Sequence, residues 1–131
     1  MVSSTLTISN TPPSLSGCDL NYSSSLPAFT IDDIIVTPAG ADLGTAGDPD
    51  GDTVTVNYEW WVADALDSTA TGTVLPSSRT SRGDEVYVVC IPNDGIADGT
   101  PVTSATITIA NSAPSTTSIT EVLSEDPATV E

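Results

Sequence analysis

Apolar residues in this chain recur at every second position and nowhere with the spacing of a helix face, which restricts it to β structure. Residues 85–91 carry Val86, Val88 and Cys90 on one side and Tyr87, Val89 and Ile91 on the other. Such a run reads as a strand buried on both faces. Residues 53–63 set Val54, Val56, Tyr58, Trp60 and Val62 on one face, so Trp60 is expected in the core and Trp61 on the opposite side. Shorter runs predict strands over residues 17–22, 30–37 (with Ile31, Ile34, Ile35 and Val36), 73–75 and 102–110, and an edge strand within 64–72. Turn residues separate them: a Gly- and Ala-rich loop over 39–47, Arg82-Gly83-Asp84, and Pro92-Asn93-Asp94-Gly95 with Asp98-Gly99. About seven strands at this spacing predict an all-β fold, a two-sheet sandwich with Greek-key connections.

The chain also repeats itself. Leu6-Thr7-Ile8-Ser9-Asn10-Thr11-Pro12-Pro13-Ser14 aligns without a gap on Ile107-Thr108-Ile109-Ala110-Asn111-Ser112-Ala113-Pro114-Ser115, an offset of 111 − 10 = 101 residues. In each copy a Thr/Ile strand runs into a proline break, because proline offers no ladder donor. A strand plus linker recurring at domain length predicts a tandem array. Residues 1–13 are then the last strand of a preceding repeat plus linker, with the strand over 3–9. Residues 14–111 are one complete repeat, and 112–131 are a linker and the first strand of the next. At the same offset Cys18 corresponds to the apolar Ile119. On this reading the 131 residues are a slice of something longer.

Composition narrows the function. Two Lys/Arg against 18 Asp/Glu leave a net charge of −16. That disfavours nucleic acid and anionic membranes, both of which attract basic surfaces. No apolar run reaches the roughly 18 residues of a membrane span, and no signal peptide is visible over residues 1–20. Histidine and lysine are absent, and no nucleophile has an identifiable base, so a non-catalytic protein is expected. Asp84-Glu85 reads as part of a turn. Cys18 and Cys90, an even pair, are expected as one disulfide across the sandwich in an oxidising compartment, with two buried thiols as the alternative.

Asp48-Pro49-Asp50-Gly51-Asp52 is the most specific chemical signal. Alternating carboxylates on a tight turn can converge hard oxygens on one ion, the ligand set that Ca²⁺ prefers. The alternative is a hydrated Asp-Pro-Asp-Gly turn. Glu59 falls where a 12-residue EF-type loop would place its bidentate ligand, but the glycine is fourth rather than sixth and residues 54–58 read as strand. In a seven-strand sandwich the loop carrying Asp48, Asp50 and Asp52 and the loop carrying Asn93, Asp94 and Asp98 share one end. The chain enters at that end, so residues 10–14 are expected there too, with Asp94 and Asp98 joining the metal site. Chelation is then expected to lower the melting temperature.

Four segments resemble the immunoglobulin-like, PKD-like tandem repeats of large bacterial surface proteins. They are Asp48-Pro49-Asp50-Gly51-Asp52-Thr53, Tyr58-Glu59-Trp60-Trp61-Val62, Gly83-Asp84-Glu85-Val86-Tyr87-Val88-Val89, and Pro92-Asn93-Asp94-Gly95 with Asn111-Ser112-Ala113-Pro114. Cys18 and the 39–47 loop depart from the pattern. The resemblance implies a stalk, spacer or adhesive module at the cell surface, in some cases calcium-binding, whose partners are neighbouring copies of the same repeat. Two variants remain open: an adhesin or glycan-binding module using Trp61 or Tyr22 as an aromatic platform, and a filament subunit joined by donor-strand exchange. Asn21-Tyr22-Ser23 is a glycosylation sequon, and the Ser/Thr runs at 23–25, 77–81 and 115–118 read as hydrophilic loops.

Overall fold

A computed structural model describes residues 4–24, 27–39 and 48–113. Its strands are β1 (Gly17–Tyr22), β2 (Ile34–Ala39), β3 (Thr55–Val62), β4 (Ala65–Leu66), β5 (Val74–Leu75), β6 (Glu85–Asn93), β7 (Val102–Thr103) and β8 (Ile107–Thr108). A single 3₁₀ turn, Ser77–Arg79, lies between β5 and β6, and no α-helix occurs among the described residues. The strands form two antiparallel sheets. One has the order β1-β2-β5; in the other β4-β3-β6-β7 are consecutive and β8 also pairs with β6. The chain crosses between the sheets after β2, after β4 and after β5. This is the expected all-β two-sheet sandwich.

Alternation along β6 decides the packing. Val86, Val88, Cys90 and Pro92 are buried, whereas Tyr87, Val89 and Ile91 are half-buried on the outer face. From β3, Trp60 enters the same core with no exposed surface. Its indole N–H donates to the Gly72 carbonyl at 2.9 Å, so the ring's one polar atom is satisfied. The facing sheet contributes Cys18, Ile34, Val36 and Leu75, and Ile109 and Ala28 fill one side. Cys18 on β1 and Cys90 on β6 are joined by a disulfide between the sheets, with Cα atoms 6.2 Å apart.

Four expected elements differ from the structure. The second strand begins at Ile34 rather than at residue 30, because Asp32 folds the chain into a turn. Its carboxylate accepts the Phe29 N–H at 2.7 Å, and its own N–H donates to the Phe29 carbonyl at 3.0 Å. Ile31 is consequently 69% exposed. The sixth strand runs on through Pro92 to Asn93, where a turn was expected. Pro92 stands opposite Val56 of β3, but its carbonyl faces the other way and accepts from the Gly99 N–H at 2.8 Å, ahead of the start of β7, so the missing proline N–H falls outside the β6–β7 pairing. The closing strand is split in two. Ser104 Oγ, in place of a backbone carbonyl, accepts the Val88 N–H at 3.0 Å, and residues 104–106 leave the ladder. Finally, residues 4–9 form no strand, and Leu6 and Ile8 are each 80% exposed. An alternating segment needs a neighbour to accept its ladder, and among the described residues none lies alongside it. The 39–47 loop (save Ala39, the last residue of β2) and the next-repeat strand within 112–131 fall largely or wholly outside the described residues.

β3 and β6 pair over eight positions, from Thr55 opposite Asn93 to Val62 opposite Val86. This register puts the chain that enters β3 and the chain that leaves β6 at one end of the sandwich.

Candidate metal centre

Local chemistry shapes the loop before β3. Gly51 donates its N–H to the Asp48 carbonyl at 2.9 Å, closing a turn over Pro49 and Asp50. Gly51 has φ of 85°, a region open to glycine at no steric cost. Asp48 Oδ1 accepts the N–H of Asp50 at 2.8 Å and of Asp52 at 3.3 Å, so the first aspartate folds the loop around its own carboxylate.

The other oxygen of that carboxylate has no such partner among the described residues. Asp48 is only 6% exposed, and its Oδ2 is buried with no hydrogen bond from any described residue. Leaving a buried anionic oxygen unpaired is costly. Asp48, Asp50 and Asp52 each bring a carboxylate oxygen within 4.8 Å of the others. Oxygens on opposite sides of one Ca²⁺ stand about 4.6–5.2 Å apart, twice the usual Ca–O distance. The three aspartates therefore fit one divalent cation, which would complete its six to eight ligands with further oxygens.

Asp94 and Asp98, also expected as ligands, are not among the three carboxylates that lie within 4.8 Å of one another. Both are engaged with protein donors. Asp94 Oδ1 accepts from the Ile96 and Ala97 N–H groups at 2.8 Å each, and Oδ2 accepts from Asn10 Nδ2 at 2.8 Å. Asp98 accepts from Asn93 Nδ2 at 2.7 Å. Sequence spacing cannot reveal this, because a loop aspartate serves equally as a ligand and as a cap for its own backbone.

The incoming segment does meet both loops. Asn10 reaches Asp94, and the Thr11 N–H donates to Asp50 Oδ2 at 2.5 Å. Pro13 is buried with its carbonyl pressed against Gly99, where a Cβ would sit 1.8 Å from the oxygen.

Three of the described aspartates are held below the usual carboxylate range: Asp94, Asp32 and Asp67, the last chiefly by its hydrogen bond to the Arg79 guanidinium. For Asp94 the Asn10 carboxamide is the main cause, helped by the Ala97 and Ile96 N–H groups against the effect of burial. For Asp32 the Ser23 hydroxyl leads, with the Phe29 N–H and Ser24 adding to it. A depressed folded value makes the carboxylate stabilising above the ordinary aspartate value of about 3.9. That contribution is lost as the pH falls through the depressed values. Acid titration followed by NMR is thus expected to leave the Asn10 side-chain amide unshifted above pH of about 5 and to release it only below the ordinary aspartate range.

A second feature lies on the outer face of the five-stranded sheet. Trp61 and Tyr87, opposite each other on β3 and β6, stack with ring centroids 5.9 Å apart and planes 7° apart. They line a shallow groove of about 410 Å³ with Glu59, Val89, Thr103 and Thr106. The sequence marked Trp61 as outward-facing but gave no sign of Tyr87 beside it, since cross-strand register is not local information. No helix among the described residues is long and apolar enough to cross a membrane. Comparison with known proteins gives no match to a family model, to a curated protein or to a solved structure.

Proposed function

We propose that this chain is a structural module of an extracellular array, an immunoglobulin-like, PKD-like repeat that spaces and orients its neighbours in a fibre, stalk or surface protein. It is non-catalytic, and a Ca²⁺ ion held by Asp48, Asp50 and Asp52 stiffens the end where the chain enters. The observation that carries this reading is the buried, unpartnered Asp48 oxygen within a cluster of three carboxylates, beside the docked entering segment. The 101-residue offset and the two exposed apolar residues of segment 4–9 support the array. Leu6 and Ile8 align with Ile107 and Ile109, and Ile109 is buried in this repeat's own core. The interlayer disulfide suits an oxidising location.

Thermal melting tests the cation. A ligand at a hundred times its dissociation constant stabilises by about 2.7 kcal/mol. For a domain of this size that corresponds to a rise of roughly 10 °C or more in Tm relative to EDTA. Asp48→Asn keeps an oxygen for the loop N–H groups but removes the anionic charge, and is expected to lose most of the rise. Identical Tm values in Ca²⁺ and EDTA would remove the cation from the account.

The Trp61–Tyr87 groove supports a second reading, a glycan-binding module, because a parallel aromatic pair on an outer face, with a carboxylate and hydroxyls at the groove's rim, suits a sugar ring. A glycan array separates the two, since a spacer binds nothing.

A further inference from the structure

We infer that the entering segment and the aspartate loop are one coupled unit: docking of residues 10–13 pre-sets Asp50 for the cation, and the cation in turn fixes the direction in which the chain enters. This rests on the cation reading above and adds a partner to it, the chain segment itself.

Three attachments lie within four residues. Asn10 is bonded to Asp94 in the loop after β6, Thr11 to Asp50 in the loop before β3, and Pro13 is wedged against Gly99. The loops come from two different connections, so the segment bridges them. The Thr11 N–H takes Oδ2 of the exposed Asp50 side chain, so a cation would be met by its other oxygen. An aspartate on an exposed turn otherwise samples several rotamers, and fixing one in advance removes that ordering cost from cation binding. Coupling is reciprocal, so an ion that holds Asp50 also strengthens its grip on Thr11. A neighbouring open groove is lined by Ile8, Ser9, Asn10, Asp50 and Ile96, so it borders the same segment and the same aspartate.

The segment is written twice in the chain. At the 101-residue offset, Asn111 stands where Asn10 stands, Ser112 where Thr11 stands and Pro114 where Pro13 stands. A joint that sets its own direction at each repeat gives an array of regular rather than random bend.

Calorimetric Ca²⁺ titration of the full chain tests the coupling with three proteins. Thr11→Pro removes the donated N–H. Gly99→Ala expels the Pro13 carbonyl without touching a carboxylate, because the obstructing atom is backbone. Wild type is expected to bind, and both variants to bind about fivefold more weakly or worse. Asn10→Ala serves as a milder variant should Gly99→Ala prevent folding. In wild type, ¹⁵N relaxation is expected to show residues 8–11 losing fast motion when Ca²⁺ is added. Equal affinities in wild type and folded variants overturn the coupling while leaving the cation site intact. Absence of any heat with wild type instead overturns the cation site, and the coupling with it.

Discussion

Replacing both Cys18 and Cys90 with alanine is expected to lower the unfolding free energy by about 4 kcal/mol. The two residues are 72 positions apart, so the bridge closes a loop spanning most of the domain and removes much of the unfolded chain's freedom. A domain of this kind is stable by about 5–15 kcal/mol, so the loss takes a large share of the total. The bond also joins β1 to β6, the two elements that carry the facing layers of the core. Urea denaturation of the double variant checks this. The midpoint is expected to fall, with the slope rising as the unfolded chain opens further. A loss under about 1 kcal/mol would show that the reduced core holds the sheets together unaided.

Trp60→Ala is expected to be comparably severe, at about 3–5 kcal/mol. Trp60 is the largest fully buried side chain of the core, and its loss leaves a cavity between layers that the disulfide keeps in place. It also strips the Gly72 carbonyl of its indole donor. Trp61→Ala is the control in the neighbouring position. Trp61 is half-buried on the outer face against Tyr87, and its removal is expected to cost about 1 kcal/mol. Thermal melting of both variants distinguishes the faces, and equal losses would contradict the assignment of Trp60 to the core.

Much of this arrangement is legible in the residues. Period-two alternation over 85–91 specifies which side of β6 faces in, and the same rule separates Trp60 from Trp61. β1 is readable to its last residue because turn residues bracket it. What is not legible depends on competition between side chain and backbone. Asp32 and Ser104 both sit in runs that read as strand; the Asp32 carboxylate takes the Phe29 N–H and turns the chain, and the Ser104 hydroxyl takes the Val88 N–H in place of a backbone carbonyl. The same competition acts at Asp94, whose carboxylate accepts from three protein donors. Residues 4–9 fail differently: their alternation is that of a strand, but a strand needs a neighbour, and pattern alone does not supply one. Asp48 could be picked out by spacing, whereas the unpartnered oxygen on which its proposed role as a ligand rests emerges only from the folded loop.

The most direct test of the account is a crystal structure of the chain grown in millimolar Ca²⁺, read through its anomalous difference map. The predicted result is one peak at about 2.3–2.6 Å from Asp48 Oδ2 and from oxygens of Asp50 and Asp52, with Asn10 still bonded to Asp94 and Thr11 to Asp50. A loop with no peak, and with Asp48 Oδ2 hydrogen-bonded to water or to a protein donor, would contradict it.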